Sequence, residues 1–108
     1  MGRAINNRTQ DVLSLTKPQR QSLPVVVSSP HSGRNYDADF LAVSRLDKLA
    51  IRRSEDAFVD ELIAGVAGMG APGVAALFPR AYLDPNREPY ELDPAMFDAP
   101  LPRWINSR

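Results

Sequence analysis

The pattern of apolar and polar positions divides the chain into two candidate strands with helical segments between them. Residues 24–28 contain three consecutive valines and end in serine, which predicts a buried strand covered on both faces, as in a parallel sheet. Apolar residues over 39–51 recur with an irregular helical period. A second strand is predicted over 73–78, continuing through 81–83 after Pro79. The order strand, helix, helix, strand predicts an α/β fold: a partial mixed or parallel sheet with flanking helices.

The clearest helical pattern follows Ser54. Ser54 is a good N-cap, and Glu55 and Asp56 would lie in the first turn, where the helix dipole favours negative charge. Gly68 or Gly70 is predicted to end this helix. The apolar positions that recur at helical spacing within it are Phe58, Val59, Leu62, Ile63 and Val66.

Residues 1–22 are polar and show no clear period. They are predicted to form an N-terminal arm or loop, held by Val12, Leu13 and Leu15. The division at residue 22 separates this arm from the α/β part of the chain.

Composition and charge exclude several classes of protein. Thirteen basic and thirteen acidic residues balance, with no run of either sign, which argues against a nucleic-acid binder or a polybasic membrane surface. The chain has no cysteine, so disulfides, thiolate metal sites and a cysteine nucleophile are excluded. The first residues lack the apolar core of a signal peptide, and a cytoplasmic protein is therefore expected.

Two short motifs carry candidate chemistry. His31, the single histidine, lies in a loop after the first predicted strand, where α/β proteins form their ligand-binding crevice. An adjacent Asn86–Arg87 pair follows the second strand. A guanidinium grips a carboxylate through two parallel hydrogen bonds, and an amide beside it adds a third, so this pair predicts a pocket for a small carboxylic acid. The alternative is a surface arginine beside an Asp-Pro-Asn turn.

The chain carries four blocks in a definite order: PVVVSSPHSGR at 24–34, RRSEDAFVDEL at 52–62, PRAYLDPNREPY at 79–90 and ELDPAMF at 91–97. Together they resemble the N-terminal part of an N-formylglutamate amidohydrolase. The resemblance implies an α/β fold similar to that of zinc-carboxypeptidase-like hydrolases. Because members of the family are considerably longer, residues 23–108 are expected to be the N-terminal part of an amidohydrolase-like domain, truncated before its sheet is complete.

The resemblance implies that His31 helps to hold a divalent metal, with zinc expected because it suits imidazole nitrogen. In related zinc carboxypeptidases a glutamate follows this histidine by three positions, but Arg34 stands there in this chain. The carboxylate must then come from Glu55 or Asp56. Helical geometry, at about 100° per residue, turns Glu55 inward, whereas the family pattern keeps an aspartate at Asp56. Asp56 is the first choice and Glu55 the alternate; compensation of the helix dipole explains both acids without a metal.

The activity that the resemblance implies is hydrolysis of N-formyl-L-glutamate to L-glutamate and formate, in histidine degradation. Zinc would polarise the formyl oxygen and lower the pKa of its bound water from about 15.7 toward about 7. Asn86 and Arg87 would hold a substrate carboxylate, and Arg80 and Tyr82 are further candidates for lining the pocket. A third zinc ligand and the general base are expected beyond Arg108, so the fragment alone is expected to be inactive.

Two alternatives remain open from the sequence. The first alternative is a carboxylate-binding α/β fragment that is non-catalytic or is completed by a partner. The second is an amidohydrolase that acts on another N-acyl amino acid. Self-association is a further expectation, because strands taken from a larger sheet leave open edges and uncovered apolar faces.

Overall fold

The computed structural model describes residues 4–9 and 12–107, and the side chains of residues 12–105. Its strands are β1 (Ala4–Thr9), β2 (Leu13–Pro18), β3 (Val27–Ser29), β4 (Gly73–Ala76), β5 (Glu91–Leu92) and β6 (Asn106–Ser107). The α-helices are α1 (Ala38–Val43) and α2 (Val59–Leu62), and 3-10 helices cover Ala50–Ser54, Ala64–Met69 and Pro94–Met96. None of the described helices has the length and apolar character needed to cross a membrane.

Four of the strands form one mixed sheet in the order β1-β2-β4-β3. β2 pairs antiparallel with both β1 and β4, whereas β3 and β4 are parallel, with Val27 opposite Gly73 and Ser29 opposite Ala75. A parallel pair needs a crossover connection, which here carries both α-helices. The carboxyl ends of β3 and β4 therefore lie side by side. The predicted mixed α/β class is confirmed, and the similarity to zinc carboxypeptidases stays a prediction.

Residues 1–22 contain two strands, where the sequence predicted an arm or loop. β2 lies between β1 and β4 and pairs with both of them through its backbone. The sequence of β1, AINNRT, has adjacent asparagines and therefore lacks the apolar alternation that identifies a half-buried strand. The domain boundary at residue 22 stays a prediction.

β3 is shorter and more exposed than the sequence predicted. Val25 and Val26 are 49% and 64% exposed, so the prediction of a strand covered on both faces is wrong for them. The physical reason is the length of the neighbouring strand. β4 begins at Gly73, opposite Val27, and the valines before Val27 therefore extend beyond the parallel pair.

The helix predicted to start at Ser54 is replaced by shorter elements. Ser54 ends a 3-10 helix and Glu55 has an extended backbone, so Ser54 is not an N-cap. α2 begins only after Phe58, which has a φ of 64°. The extended backbone at Glu55 is accompanied by a hydrogen bond from its side chain to Tyr36, in the loop after β3, a long-range contact that competes with local helix propensity. The 3-10 helix that follows α2 does end at Gly70, whose φ of 98° suits glycine, as predicted.

Two further segments differ from their predictions. The helical pattern over 39–51 gives α1 and a separate 3-10 helix rather than one helix. β4 confirms the strand predicted over 73–78 in a shorter form. The continuation predicted over 81–83 is wrong, because two N–H groups of that segment bond to the carbonyl of Pro79 and close a turn.

The hydrophobic core of the described residues is small. Its buried apolar members are Ile51, Ala67, Ala71 and Ala76. Many large apolar side chains are exposed, among them Val26, Val43, Leu49, Leu62, Met69, Met96 and Trp104. The uncovered apolar faces expected from the sequence are therefore present, and self-association stays a prediction.

Candidate functional site

His31 lies buried in the loop that follows β3, with 8% of the residue exposed. The hydroxyls of Ser29 and Ser32 are both buried and are hydrogen-bonded to each other at 2.5 Å. This bond connects the residues on either side of His31 in the chain. Gly33 continues this loop against the segment after β4. A Cβ at that position would overlap the carbonyl oxygen of Phe78, so only glycine allows the close approach. The loop is thus fixed at the carboxyl end of β3, where the sequence placed the histidine.

Asp84 is the centre of a hydrogen-bond cluster that includes His31. Its Oδ1 accepts hydrogen bonds from Nε2 of His31 at 2.7 Å and from the backbone N–H of Asn86 at 3.0 Å. Its Oδ2 accepts from Nη2 of Arg80 at 2.9 Å and from Nε of Arg87 at 3.3 Å. One carboxylate, 16% exposed, therefore joins the histidine to the predicted carboxylate-binding segment.

These contacts determine the charge of Asp84 and the tautomer of His31. Burial acts to raise the pKa of Asp84, but the hydrogen bonds from the Asn86 backbone, His31 and the two arginines outweigh it and lower the pKa well below its ordinary value of 3.8. An ionised carboxylate can only accept hydrogen bonds. Nε2 of His31 therefore carries the proton, and in the neutral ring Nδ1 keeps its lone pair.

Nδ1 of His31 faces Asp56. The distance from Nδ1 to Oδ2 of Asp56 is 3.6 Å, which is longer than a hydrogen bond. The backbone N–H of Asp56 donates to the carbonyl of His31 at 2.9 Å, so the two segments are also connected through the main chain. The structure thus brings Asp56 next to the imidazole nitrogen that can accept a metal.

Glu55 is held by a different set of side chains. Its Oε2 accepts from the Tyr36 hydroxyl at 2.5 Å and from Nε of Arg52 at 2.8 Å, and its Oε1 accepts from Nη2 of Arg52 at 3.3 Å. Burial acts to raise the pKa of Glu55, but the hydrogen bonds from Arg52 and Tyr36 outweigh it and lower the pKa. Because both oxygens are bonded, the geometry favours Asp56 as the predicted metal ligand. The assignment stays a prediction.

The three residues predicted to bind a substrate carboxylate lie on one segment beside Asp84. Arg87 is 37% exposed, and its Nη1 is 3.9 Å from Oε1 of Glu91. Within the described part of the chain, the side-chain amide of Asn86 has no hydrogen-bond partner. The side chain of Arg80 is more buried, with 26% of it exposed, and its Nη2 is bonded to Asp84. Asn86 and Arg87 are exposed whereas Arg80 is partly buried, so a ligand would reach Asn86 and Arg87 first, although Arg87 already contacts Asp84 and Glu91.

Among residues 12–105, no three His, Cys, Asp or Glu side chains converge in a way that could hold a metal ion. His31 and Asp56 supply two donors that face each other, and Asp84 is bonded to the other imidazole nitrogen. A catalytic zinc usually has three protein ligands and a water. The described residues therefore do not form a complete zinc site among themselves, and the predicted zinc stays a prediction.

A cavity of about 780 Å³ lies beside the loop that carries His31. Its walls include Tyr36, Phe40 of α1, Pro79 and Tyr82. The rings of Phe40 and Tyr82 pack edge to face with their centroids 5.2 Å apart. Neither His31 nor Asp56 lines this cavity, which borders the loop of His31 at Arg34, Asn35 and Tyr36.

Sequence reasoning missed Asp84 and Tyr36. In the sequence Asp84 appears only as part of an alternative Asp-Pro-Asn turn, and its bond to the Asn86 N–H is that of an Asx turn. A signal was available, because arginines stand four positions before and three positions after this aspartate. Nothing in the local pattern marks Tyr36, since its partner Glu55 is 19 positions away in the chain.

Comparison with known proteins gives two related findings. Residues 23–106 match the model of a family described as N-formylglutamate amidohydrolase. The fold is similar to the crystal structure of N-formylglutamate amidohydrolase from Ralstonia eutropha JMP134, with 39% sequence identity and a TM-score of 0.75. The alignment covers 88% of this chain and 34% of that chain, so this chain spans about a third of its length. The comparison with curated proteins gave no match.

Proposed function

The chain belongs to the N-formylglutamate amidohydrolase family, and from this membership we propose that it supplies part of the active site of a zinc-dependent enzyme. The enzyme would hydrolyse N-formyl-L-glutamate to L-glutamate and formate and would serve histidine degradation in the cytoplasm. The observation that supports this proposal is the placement of His31 between two carboxylates. Asp84 is bonded to Nε2, and Asp56 lies 3.6 Å from Nδ1.

The pair His31 and Asp56 fits two positions of a zinc site. Two donors at about 2.0–2.2 Å from a tetrahedral ion lie about 3.4 Å apart, and the separation of Nδ1 and Oδ2 is 3.6 Å. Asp84 would act as the carboxylate that commonly stands behind a zinc-bound histidine, where it fixes the tautomer and orientation of the ring. A third ligand and a general base would come from residues other than these, and the chain alone would be inactive.

The other residues of the site would bind and orient the substrate. A bound zinc ion would polarise the formyl carbonyl and lower the pKa of a coordinated water to about 7. Arg87 would grip a substrate carboxylate with its outer nitrogens, and the amide of Asn86 would add a hydrogen bond. Since His31 and Arg87 are bonded to opposite oxygens of Asp84, this carboxylate would set the distance from the metal to the bound end of the substrate.

A zinc titration of the 108-residue chain, followed by NMR, tests this proposal. Because His31 is the only histidine, the long-range ¹H–¹⁵N signals of its ring can be assigned without further work. Zinc is expected to shift the Nδ1 resonance, while Nε2 keeps the signature of a protonated nitrogen. Asp56→Asn should weaken zinc binding by more than the roughly 10- to 100-fold typical of outer-shell partners.

The matched control is Glu61→Gln, which removes an exposed carboxylate that contacts Arg34. This variant should bind zinc as the parent chain does. The proposal is overturned if millimolar zinc leaves both ring nitrogens unchanged, or if zinc shifts Nε2 instead of Nδ1.

A further inference from the structure

We infer that Glu55 is a positioning residue that holds Asp56 beside His31, acting together with Tyr36 and Arg52. The inference rests on the proposed function, since it adds a supporting residue to the proposed zinc site. It gives Glu55, the alternate metal ligand suggested by the sequence, a different task.

The first observation is that the Glu55 carboxylate is buried and fully bonded. Its side chain is 3% exposed, and its two oxygens accept three hydrogen bonds from Tyr36 and Arg52. Removing one partner from a buried charge is costly, because the remaining charge is left without compensation. Glu55 would have to give up these bonds to reach a metal, so it is better suited to hold its own segment in place.

The second observation is the position of the residues that Glu55 connects. Glu55 precedes Asp56 directly, and Tyr36 lies in the same loop as His31, five positions further on. The backbone N–H of Asp56 is bonded to the carbonyl of His31 at 2.9 Å. The Glu55–Tyr36 bond and this main-chain bond therefore join the same two segments at adjacent points. The backbone of Asp56 cannot shift relative to the loop of His31 without lengthening one of them.

The third observation is that the Arg52 side of the cluster is itself fixed. Arg52 follows Ile51, which is 3% exposed and belongs to the core. The N–H of Ile51 donates to the carbonyl of Asp47, and the N–H of Glu55 donates to the carbonyl of Arg52, which closes the 3-10 helix. The Arg52 guanidinium also lies 6.0 Å from the centre of the Tyr36 ring. Glu55, the residue next to Asp56, is therefore bonded to a 3-10 helix that is packed in the core through Ile51.

Two variants and two readouts test the inference. Tyr36→Phe removes only the hydroxyl, and Glu55→Gln keeps the shape of the side chain but removes its charge. The metal-free readout is the hydrogen-exchange protection of the Asp56 amide, which should fall by about tenfold or more in both variants. The second readout is zinc affinity from the His31 ring signals, which should fall by about 10- to 100-fold.

Matched controls separate positioning from general stability. Tyr90→Phe removes a hydroxyl from an exposed tyrosine, and Glu61→Gln removes an exposed carboxylate. Both controls should leave the Asp56 amide and the zinc affinity unchanged. Because Tyr36 acts through Glu55, the effects of Tyr36→Phe and Glu55→Gln should be less than additive in the double variant.

The outcomes distinguish this inference from the proposed function. If the Asp56 amide loses protection but the parent chain binds no zinc, Glu55 positions Asp56 and the zinc function fails. If zinc binds to the parent chain and both variants keep its affinity and the protection of Asp56, the inference is wrong. A lower melting temperature with both site readouts unchanged would also overturn it, since Glu55 would then serve only stability.

Discussion

The 2.7 Å hydrogen bond between Nε2 of His31 and Oδ1 of Asp84 joins residues 53 positions apart in the chain. The two residues meet because β3 and β4 are parallel neighbours, so the loops that follow them leave the sheet on the same side. The bond links the candidate metal ligand to the segment that carries Asn86 and Arg87. It also assigns the proton of the neutral ring to Nε2, because Asp84 stays ionised.

Asp84→Asn is expected to weaken zinc binding at His31 by about 10- to 100-fold, as losses of outer-shell partners usually do. The amide oxygen can still accept from Nε2, but the negative charge that favours one tautomer is removed. The ring ¹⁵N shifts should therefore show a mixture of tautomers before zinc is added. Asp98→Asn, at an exposed position, is the control and should change neither signal. Unaltered tautomer and affinity in Asp84→Asn would show that the bond is incidental.

Asp84 should also make the stability of the chain depend on acid pH. Its folded pKa lies below the ordinary value of 3.8, so the unfolded chain binds its proton first as the pH falls. The contribution of Asp84 is therefore fully present above that ordinary value and is lost as the pH falls toward the folded pKa. Urea unfolding from about pH 6 to about pH 2 should show a steep loss of unfolding free energy in the parent chain. The loss should be shallower in Asp84→Asn, and a parallel loss in both chains would contradict the assignment.

Gly33→Ala should destabilise the chain by about 1–3 kcal/mol, the usual cost of overpacking. A Cβ there overlaps the backbone of Phe78, which cannot move aside as a side chain can. Gly65→Ala is the matched control, because a Cβ at Gly65 meets no atom within 4 Å. Alanine should be neutral or stabilising there, since it favours helical backbone by up to about 1 kcal/mol over glycine. Equal melting temperatures for the two variants would show that the loop at Gly33 is not pressed against its neighbour.

The sequence predicted where the candidate groups lie, but not what they touch. Local patterns of strand and turn residues predict that His31 follows a strand and that Asn86–Arg87 lie in a turn. The structure has His31 after β3 and Asn86 in a turn. The Ser54 helix failed because the partner of Glu55, Tyr36, is distant in sequence, and that contact outweighs local helix propensity. β1 was missed because its pairing with β2 is set by backbone hydrogen bonds, which leave no apolar period.

The 108-residue chain, loaded with zinc, is expected to show no turnover of N-formyl-L-glutamate. Its described residues offer two donors to a metal, His31 and Asp56, and a catalytic zinc usually needs about three protein ligands. The measurement is release of formate at saturating substrate, compared with a sample to which no zinc is added. Formate release at enzyme-like rates, abolished by His31→Ala, would show that a third ligand is present within the chain.

The last prediction concerns the carboxylate clamp, measured in a catalytically competent enzyme that contains this chain. Arg87→Lys keeps the charge but loses the planar fork that grips a carboxylate with two hydrogen bonds. Hydrogen bonds to a charged group contribute about 1.5–3 kcal/mol, so kcat/KM should fall by about 10- to 100-fold. Asn86→Ala should have a smaller effect if its amide only assists.

The decisive comparison for Arg87 uses two substrate analogues, the α-amide and the γ-amide of N-formyl-L-glutamate. One of them lacks the carboxylate that Arg87 binds. That analogue should be a poor substrate, and Arg87→Lys should lower its kcat/KM only a little further. For the other analogue, Arg87→Lys should lower kcat/KM by the same factor as for the parent substrate. Arg87 is also bonded to Asp84, so a general loss of structure would lower kcat/KM for all three compounds by the same factor. An equal loss would therefore assign Arg87 to the fold, whereas selective loss for compounds with the bound carboxylate assigns it to the substrate.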